Sequence, residues 1–383
     1  MKVMIISSDN NPTSGAFLSE VKLCQNLVEN YKHDVMVVLP RSGKGCELLN
    51  EIHIPHIIVK SYDWVVPLSE RRTIKYFIKK WIKQLVNVRA KNKIAIFARK
   101  WGADIIHINT TYAYVGARAA LKANIPFVWH IREYLEEGQA RTLWNRPKGN
   151  QLIERANRVI CISSSIWLKY LPTLTKAKMC IIPNGIDVNL FYRPNHKIFE
   201  NDVITMVYGG GYSIRKGVYD LIKACSIVEK SGFKEFRLLC IGEVTEKFRN
   251  YVMSLNLEKH VTFLGYQKNP IIWYEQADIV FNCSVFEGFG RTTVEGMLAG
   301  ALIIASDTGG TLDIINPDIT GLLYKQGNVY HLAEKIQYAI SHPQEMQLVA
   351  ETGREYAMSN FSASRNAEMI NEIYMDVISE TQN

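Results

Sequence analysis

Short apolar runs rich in β-branched residues alternate along this chain with longer stretches whose apolar positions recur three and four apart. In the first half the runs are Lys2–Ser7, Asp34–Leu39, Ile57–Val59, Asp104–Ile108, Phe127–His130, Arg158–Ile162 and Lys178–Ile182. Several are apolar at successive rather than alternate positions, as expected of parallel strands covered on both faces. Helical spacing fills the intervals, for example Phe17–Asn30 and Gly116–Ala123. Strand, helix, strand in succession predicts βαβ units and an α/β fold.

The pattern breaks at Pro183-Asn184-Gly185 and again at Pro194-Asn195, which places a linker near residues 183–200. A second series then begins. Its strands are Val203–Tyr208, Phe236–Ile241, Val261–Leu264, Ile279–Asn282, Leu302–Ala305 and Gly321–Tyr324, with helices over Val218–Lys230, Glu246–Leu255, Thr292–Ala299, Val329–Ile340 and Pro343–Met358. Both series open with a strand, a glycine-containing loop and a helix. The expectation is two Rossmann-like domains facing across a cleft, residues 1–190 and 200–360, with ligands at the carboxyl ends of the strands. A last helix within 361–383 is expected to pack back on the first domain.

Composition narrows the class. Of 383 residues, 47% are hydrophobic and 21% charged, ordinary for a globular protein and far from disorder or fibre. The conspicuous uncharged stretch Gly296–Ser306 is much shorter than the roughly 18 residues a membrane-spanning helix needs. The start of the chain turns polar at Ser7-Ser8-Asp9, too soon for a secretory leader. The seven cysteines are odd in number and include no Cys-x-x-Cys, so they read as core residues in a reducing, cytoplasmic compartment. They give no support for a metal site.

Three loops carry candidate chemistry. In Asn282–Gly300 an apolar strand runs into Glu287-Gly288-Phe289-Gly290, and a helix bearing Glu295 follows at once. Unpaired N–H groups at that helix start suit phosphate or sugar oxygens, and the glycines admit a ligand close to the backbone. A carboxylate at Glu295 suits ribose hydroxyls; taken alone, the two glutamates serve equally well as electrostatic partners of a helix N-terminus. Gly209-Gly210-Gly211-Tyr212-Ser213-Ile214-Arg215-Lys216-Gly217 supplies a planar cation and a mobile one, fit for a departing diphosphate or simply for solvent. His130 ends a buried strand beside Arg132 and Glu133, which read as a local ion pair or as acceptor contacts. Gly15 lies where the first strand turns into the first helix.

Ser-x-x-Glu-Gly-Phe-Gly-x-x-x-x-Glu-Gly-Met-x-x-Gly over residues 284–300 resembles the signature of the family 4 glycosyltransferases, which are retaining enzymes of GT-B fold with a Glu-x7-Glu motif. Ser14-Gly15, His130, Ile182–Asp187, Arg215-Lys216-Gly217 and Asp307–Gly310 fall in the family's order, so the resemblance spans nearly the whole chain. It implies transfer of a sugar from a UDP- or GDP-sugar to a glycan or lipid-linked hydroxyl acceptor, in bacterial surface polysaccharide assembly. It also implies roles. His130 and Glu287 would be catalytic, at the anomeric centre and on the donor sugar. Gly15, Arg215, Lys216, Phe289, Gly290 and Glu295 would bind the donor, Glu295 at the ribose. No metal and no cofactor beyond the donor are implied. The sequence departs from the family at Gly211, where an arginine is usual, and Arg215 is the residue placed to take over that cation's part.

Charge is concentrated in one place. Residues 71–100 hold eleven Lys/Arg and no acid, while the remainder holds 34 basic and 37 acidic residues, so this segment carries the whole net charge of +8. Ile74, Phe77, Ile78, Trp81, Ile82 and Leu85 form a helical apolar stripe interleaved with Lys75, Lys79, Lys80 and Lys83. Such a helix packs its stripe on the core or lies on an anionic membrane at the inner face of the cell. No nucleic-acid module accompanies it. Other readings of the whole chain are a sugar-nucleotide epimerase or hydrolase on the same fold, and a catalytically silent nucleotide-sugar-binding partner subunit. A nicotinamide dehydrogenase fails for want of Gly-x-Gly-x-x-Gly, since Ile214 stands where the third glycine would fall.

Overall fold

The computed structural model describes residues 1–70 and 73–382. Two compact units result: Met1–Gly185 together with Ala363–Asn383, and Ile186–Ser362.

In the first unit the strands are β1 (Lys2–Ile6), β2 (Asp34–Leu39), β3 (His56–Ile58), β4 (Val65–Pro67), β5 (Ile105–Ile108), β6 (Phe127–Ile131), β7 (Arg141–Leu143), β8 (Arg158–Cys161) and β9 (Met179–Ile181). Seven of them form a sheet in the order β3-β2-β1-β5-β6-β8-β9, every pair parallel. β4 and β7 stand apart as a short antiparallel pair. Val3, Met4 and Ile5, like Ile105 and Ile106, are wholly buried, which is why these strands show no alternation.

The second unit repeats the plan with β10 (Ile204–Gly209), β11 (Phe236–Ile241), β12 (Val261–Gly265), β13 (Ile279–Asn282), β14 (Leu302–Ser306) and β15 (Leu322–Tyr324). Their order is β12-β11-β10-β13-β14-β15, again all parallel. In both sheets the connections leave the first strand toward opposite edges. The loops after β1 and β5, and after β10 and β13, therefore part company and leave a crevice at the carboxyl ends of the strands.

The last helix, Ala363–Gln382, belongs to the first unit. Ala367, Ile370, Tyr374 and Val377 are spaced three and four apart and lie fully buried against Phe17, Val21 and Cys24 of the helix Gly15–Glu29. Glu380 closes the far end, with Arg158 Nη2 at 2.5 Å and Lys178 Nζ at 3.0 Å. The Tyr374 hydroxyl shares a 2.6 Å hydrogen bond with His107 Nδ1, and burial pushes His107 down to about 3, so the ring is neutral.

Removing the ring of Tyr374 leaves a cavity as well as an unpaired imidazole. Tyr374→Ala is expected to destabilise the first unit by about 3–5 kcal/mol, whereas Tyr374→Phe costs about 1–3 kcal/mol through the lost hydrogen bond alone. Urea unfolding followed by tryptophan fluorescence checks this. Six of the seven tryptophans (Trp64, Trp81, Trp101, Trp129, Trp144 and Trp167) lie in that unit, so the signal reports it.

Candidate active site

In the second unit three loops meet at the ends of β10, β13 and β14. The first runs through a single helical turn, Ile214–Lys216, to Gly217, whose φ of 67° precedes the helix Val218–Lys230. Gly217 lies so close to the backbone beyond β13 that a β-carbon would run into the carbonyl oxygen of Cys283. The N–H of Val285 donates to the Arg215 carbonyl at 2.8 Å. This apposition carries Lys216 over the second loop, where its Nζ lies 3.3 Å from Ser284 Oγ and 3.3 Å from Glu287 Oε2. Arg215, next to it, is exposed.

The third loop seats Glu287 from the other side. Gly309, at φ 58°, leaves no room for a β-carbon against the Glu287 carbonyl, and the Gly310 N–H donates to that same oxygen at 2.8 Å. The Ser306 and Thr308 hydroxyls donate to the Ser284 carbonyl at 2.7 and 2.9 Å. Glu287 thus projects from a segment fastened on both sides, with its carboxylate largely buried and its cation partner in place.

The helix Arg291–Leu298 starts directly after Gly290 and has neither a side-chain cap nor an acidic residue in its first turn. Its partial positive charge is left for whatever approaches. Asn282 Nδ2 donates to Thr293 Oγ1 at 2.9 Å, and Thr292 Oγ1 donates to the Gly209 carbonyl at 3.4 Å, tying helix to β13 and β10. Glu295 is only 8% exposed and pairs with the Arg291 guanidinium at 2.9 Å. Burial pushes its carboxyl above the usual range while Arg291 pulls it back. The ring of Phe289 is an anchor, packed edge-on against Phe361 at 5.9 Å. The structure therefore gathers Arg215, Lys216, Glu287, Phe289 and Gly290 on touching loops, and sets Glu295 on the helix that follows them.

The first unit has its own polar cluster at the ends of β1, β5 and β6. His130 is fully buried, neither ring nitrogen has a hydrogen-bond partner, and its ring centre lies 5.5 Å from that of His107. Burial first, then Arg132 and His107, hold it well below the usual histidine range, so it is neutral at physiological pH. The Arg132 guanidinium donates from Nε to the Asn109 carbonyl and from Nη2 to Asn109 Oδ1, both at 2.9 Å, and from Nη1 to Asn184 Oδ1. The Glu133 carboxylate accepts the N–H groups of Thr111 and Arg132 at 3.4 and 3.2 Å. Arg132 thus spans to Asn184 of the Pro-Asn-Gly segment, which a strictly local Arg132–Glu133 pair would not. Gly15 is the first residue of the helix Gly15–Glu29. Before it, the Asp9 carboxylate accepts the Asn11 N–H at 2.8 Å and the Ser14 hydroxyl at 3.4 Å.

One participant escaped the sequence reading. Glu20 is fully buried; its Oε2 accepts from the Ser7 hydroxyl at 2.8 Å and from Asn109 Nδ2, while Oε1 has no partner. Burial pushes the carboxyl up to about 8. Ser7, Glu20, Asn109, Arg132 and Asn184 form one connected network. The signal was available: Glu20 stands three residues after Phe17 and four before Cys24, on the apolar stripe of its helix. Among the described residues no group of three or more His, Cys, Asp or Glu gathers as a metal site would.

Residues 191–356 match the family described as Glycosyl transferases group 1, and residues 21–190 match Glycosyltransferase Family 4. An uncharacterized glycosyltransferase of Methanocaldococcus jannaschii is 28% identical, over 72% of this chain and 76% of its own. The alpha-monoglucosyldiacylglycerol synthase of Acholeplasma laidlawii is 24% identical, over 79% and 80%. Among solved structures, Anabaena HepE in complex with UDP superposes with a TM-score of 0.80 at 22% identity, covering 98% of this chain and all of that one. The same protein with UDP-glucose gives 0.78. These likenesses establish the GT-B fold.

Glu20 also sets a pH dependence. The unfolded chain loses the glutamate proton near 4.5, the folded one near 8, so between these values the folded state holds the extra proton and stability falls as pH rises. The slope is at most about 1.4 kcal/mol per pH unit. Glu20→Gln, which keeps the shape and cannot ionise, is expected to match the parent near pH 5 and to exceed it increasingly toward pH 8. Melting temperatures of both proteins across that range check the sign.

Proposed function

The chain belongs to the family 4 glycosyltransferases, and from that premise we propose that it moves a sugar from a UDP- or GDP-sugar to a hydroxyl acceptor with retention of anomeric configuration, without a metal ion. The observation carrying this reading is the fastened Lys216–Glu287 pair beside the uncapped start of the helix Arg291–Leu298. A cation, a carboxylate and the positive end of a helix without a side-chain cap together suit a diphosphate bearing a sugar.

The second unit holds the donor in this reading. Arg215, Lys216 and the amides from Gly290 onward take up negative charge as the bond between the anomeric carbon and the phosphate oxygen breaks. Glu287 holds Lys216 in place and accepts sugar hydroxyls; Glu295, partly neutralised by Arg291, accepts ribose hydroxyls. The first unit presents the acceptor in this reading, and His130, kept neutral by burial, adds no charge there. The acceptor oxygen bonds to the anomeric carbon on the face the phosphate leaves, and its proton passes to a phosphate oxygen.

Relatives support the setting. Staphylococcus aureus CapM, 24% identical over 59% of this chain, is named for capsular polysaccharide biosynthesis. We place the reaction in bacterial surface polysaccharide assembly, on the cytoplasmic side.

A thermal-shift panel of UDP- and GDP-sugars is expected to single out one donor, because stabilisation follows affinity by mass action. With that donor and an acceptor glycan, Lys216→Ala and Glu287→Gln should each lower kcat by about 100–1,000-fold while the fold and melting temperature persist. Near-parental turnover in both variants, or tight donor binding with no nucleotide released from the donor in the presence of any acceptor, overturns the assignment. The second result would leave a binding subunit.

A further inference from the structure

The basic segment folds as one long helix, Ile74–Trp101, begun by a Thr73 cap whose side chain accepts the Tyr76 N–H and ended at Gly102 with φ 76°. Arg71 and Arg72, which open the basic segment in the sequence, lie outside the described residues. The helix is docked by one face only. Asn87, Ala90, Ile94, Ala95 and Ala98 are buried, with the Asn87 amide donating to the Tyr62 carbonyl at 2.9 Å and to the Tyr114 hydroxyl at 2.8 Å.

The apolar stripe is elsewhere. At about 100° per residue, the stripe of Ile74, Phe77, Ile78, Trp81, Ile82 and Leu85 centres roughly 150° from the docked face, with Phe77 at its edge. They are exposed accordingly: Ile74 is 80% exposed, Trp81 65%, and the other four between 45% and 53%. Packing on the first unit's core, one of the two readings of the stripe, is thereby excluded for these six side chains. They cover about 16 Å of helix at 1.5 Å per residue. Lys80 and Lys83 turn back over the Trp144 ring at 5.7 Å, which joins the stripe to the surface around Arg141, Arg146 and Lys148.

We infer that the N-terminal half of this helix is a docking surface for an anionic lipid bilayer, with the six apolar side chains among the acyl chains and the flanking lysines over the phosphates. Charge chooses the occupant. Four lysines between Ile74 and Leu85, with no acid anywhere in residues 71–100, oppose a second copy of the same surface and favour a dense plane of negative charge. The apolar stripe adds what a purely ionic contact lacks, burial in hydrocarbon. No helix among the described residues is long and apolar enough to cross a membrane, so the contact is one of lying in the interface. The inference is independent of the transfer reaction, and its test needs no donor or acceptor.

The 383-residue protein is sedimented with vesicles of phosphatidylcholine alone and of phosphatidylcholine with phosphatidylglycerol. Binding to the anionic vesicles at least tenfold above the zwitterionic ones is expected, falling as salt is raised. The variant Phe77→Ser, Ile78→Ser and Trp81→Ser should lose at least tenfold of that binding with an unchanged melting temperature, since the three side chains touch solvent. Lys79→Glu with Lys83→Glu should lose as much. Equal binding to both vesicle types, none to either, or full binding by the serine variant overturns the proposal. So does a protein that self-associates in the absence of lipid and becomes monomeric in the serine variant, which would make the occupant a second copy.

Discussion

Backbone packed directly on backbone holds the second unit's site together. Gly217 rests on the carbonyl of Cys283 and Gly309 on that of Glu287, both with positive φ and both without space for a β-carbon. At each point an L-side chain would meet steric overlap and an unfavourable conformation together. The segment Cys283–Gly290 is therefore held between its neighbours at main-chain distance, and a side chain projecting from it inherits that precision. Glu287 is positioned chiefly through its main chain, whose carbonyl accepts the Gly310 N–H. Lys216 follows as well, because the residue after it makes the contact.

The first unit uses the opposite device. Its polar cluster is held by side chains, most of them stripped of water. A buried imidazole or carboxyl without a compensating charge takes its neutral form. His107 and His130 are kept unprotonated and Glu20 is kept protonated, so Arg132 is the cation of the network, surrounded by amides and carbonyls. Two neutral imidazoles and a protonated carboxyl beside one fixed guanidinium, with the Glu133 carboxyl next to it, offer shape and directed hydrogen bonds rather than a strong field. The two units are thus chemically unlike despite a shared strand order. One presents charges on tight turns, the other a desolvated cluster in which two imidazoles and a carboxyl are held neutral around Arg132.

That difference decides what could be read from the chain. The strands were legible because burial on both faces removes alternation, as in Val3-Met4-Ile5 and Ile279-Val280-Phe281. The second unit's site was legible because main-chain contact at 217, 309 and 310 and a positive φ at 290 demand glycine, and these glycines are visible as letters. The network of Ser7, Glu20, Asn109, Arg132 and Asn184 was not. Its members come from five places in the chain, each residue type is common, and only the tertiary fold makes them neighbours. Arg132 and Glu133 invited a local pairing because they are adjacent in sequence. The Glu133 carboxylate takes the Arg132 N–H, while the guanidinium goes on to Asn109 and Asn184. The short β4–β7 pair was likewise hidden, three residues a side being too few for a period to show.

The helix Ile74–Trp101 is the instance where periodicity answered one question and left another open. A stripe at three and four spacing predicts a helix with an apolar side; it does not say against what. Twenty-eight residues make about eight turns, and the fully buried positions occupy only the later ones, the earlier turns reaching the unit through Lys80 and Lys83 on the Trp144 ring. Extending a helix beyond its docked part is costly in water unless the extension is stabilised by something else, since most helical stability in proteins comes from packing an apolar face. Here the extension is also crowded with like charges, which repel one another along the helix. Solvent alone therefore leaves two burdens on the same turns, exposed hydrocarbon and uncompensated cations. A surface that offers hydrocarbon beneath a layer of phosphate relieves both, and neither an uncharged protein face nor a purely acidic one does.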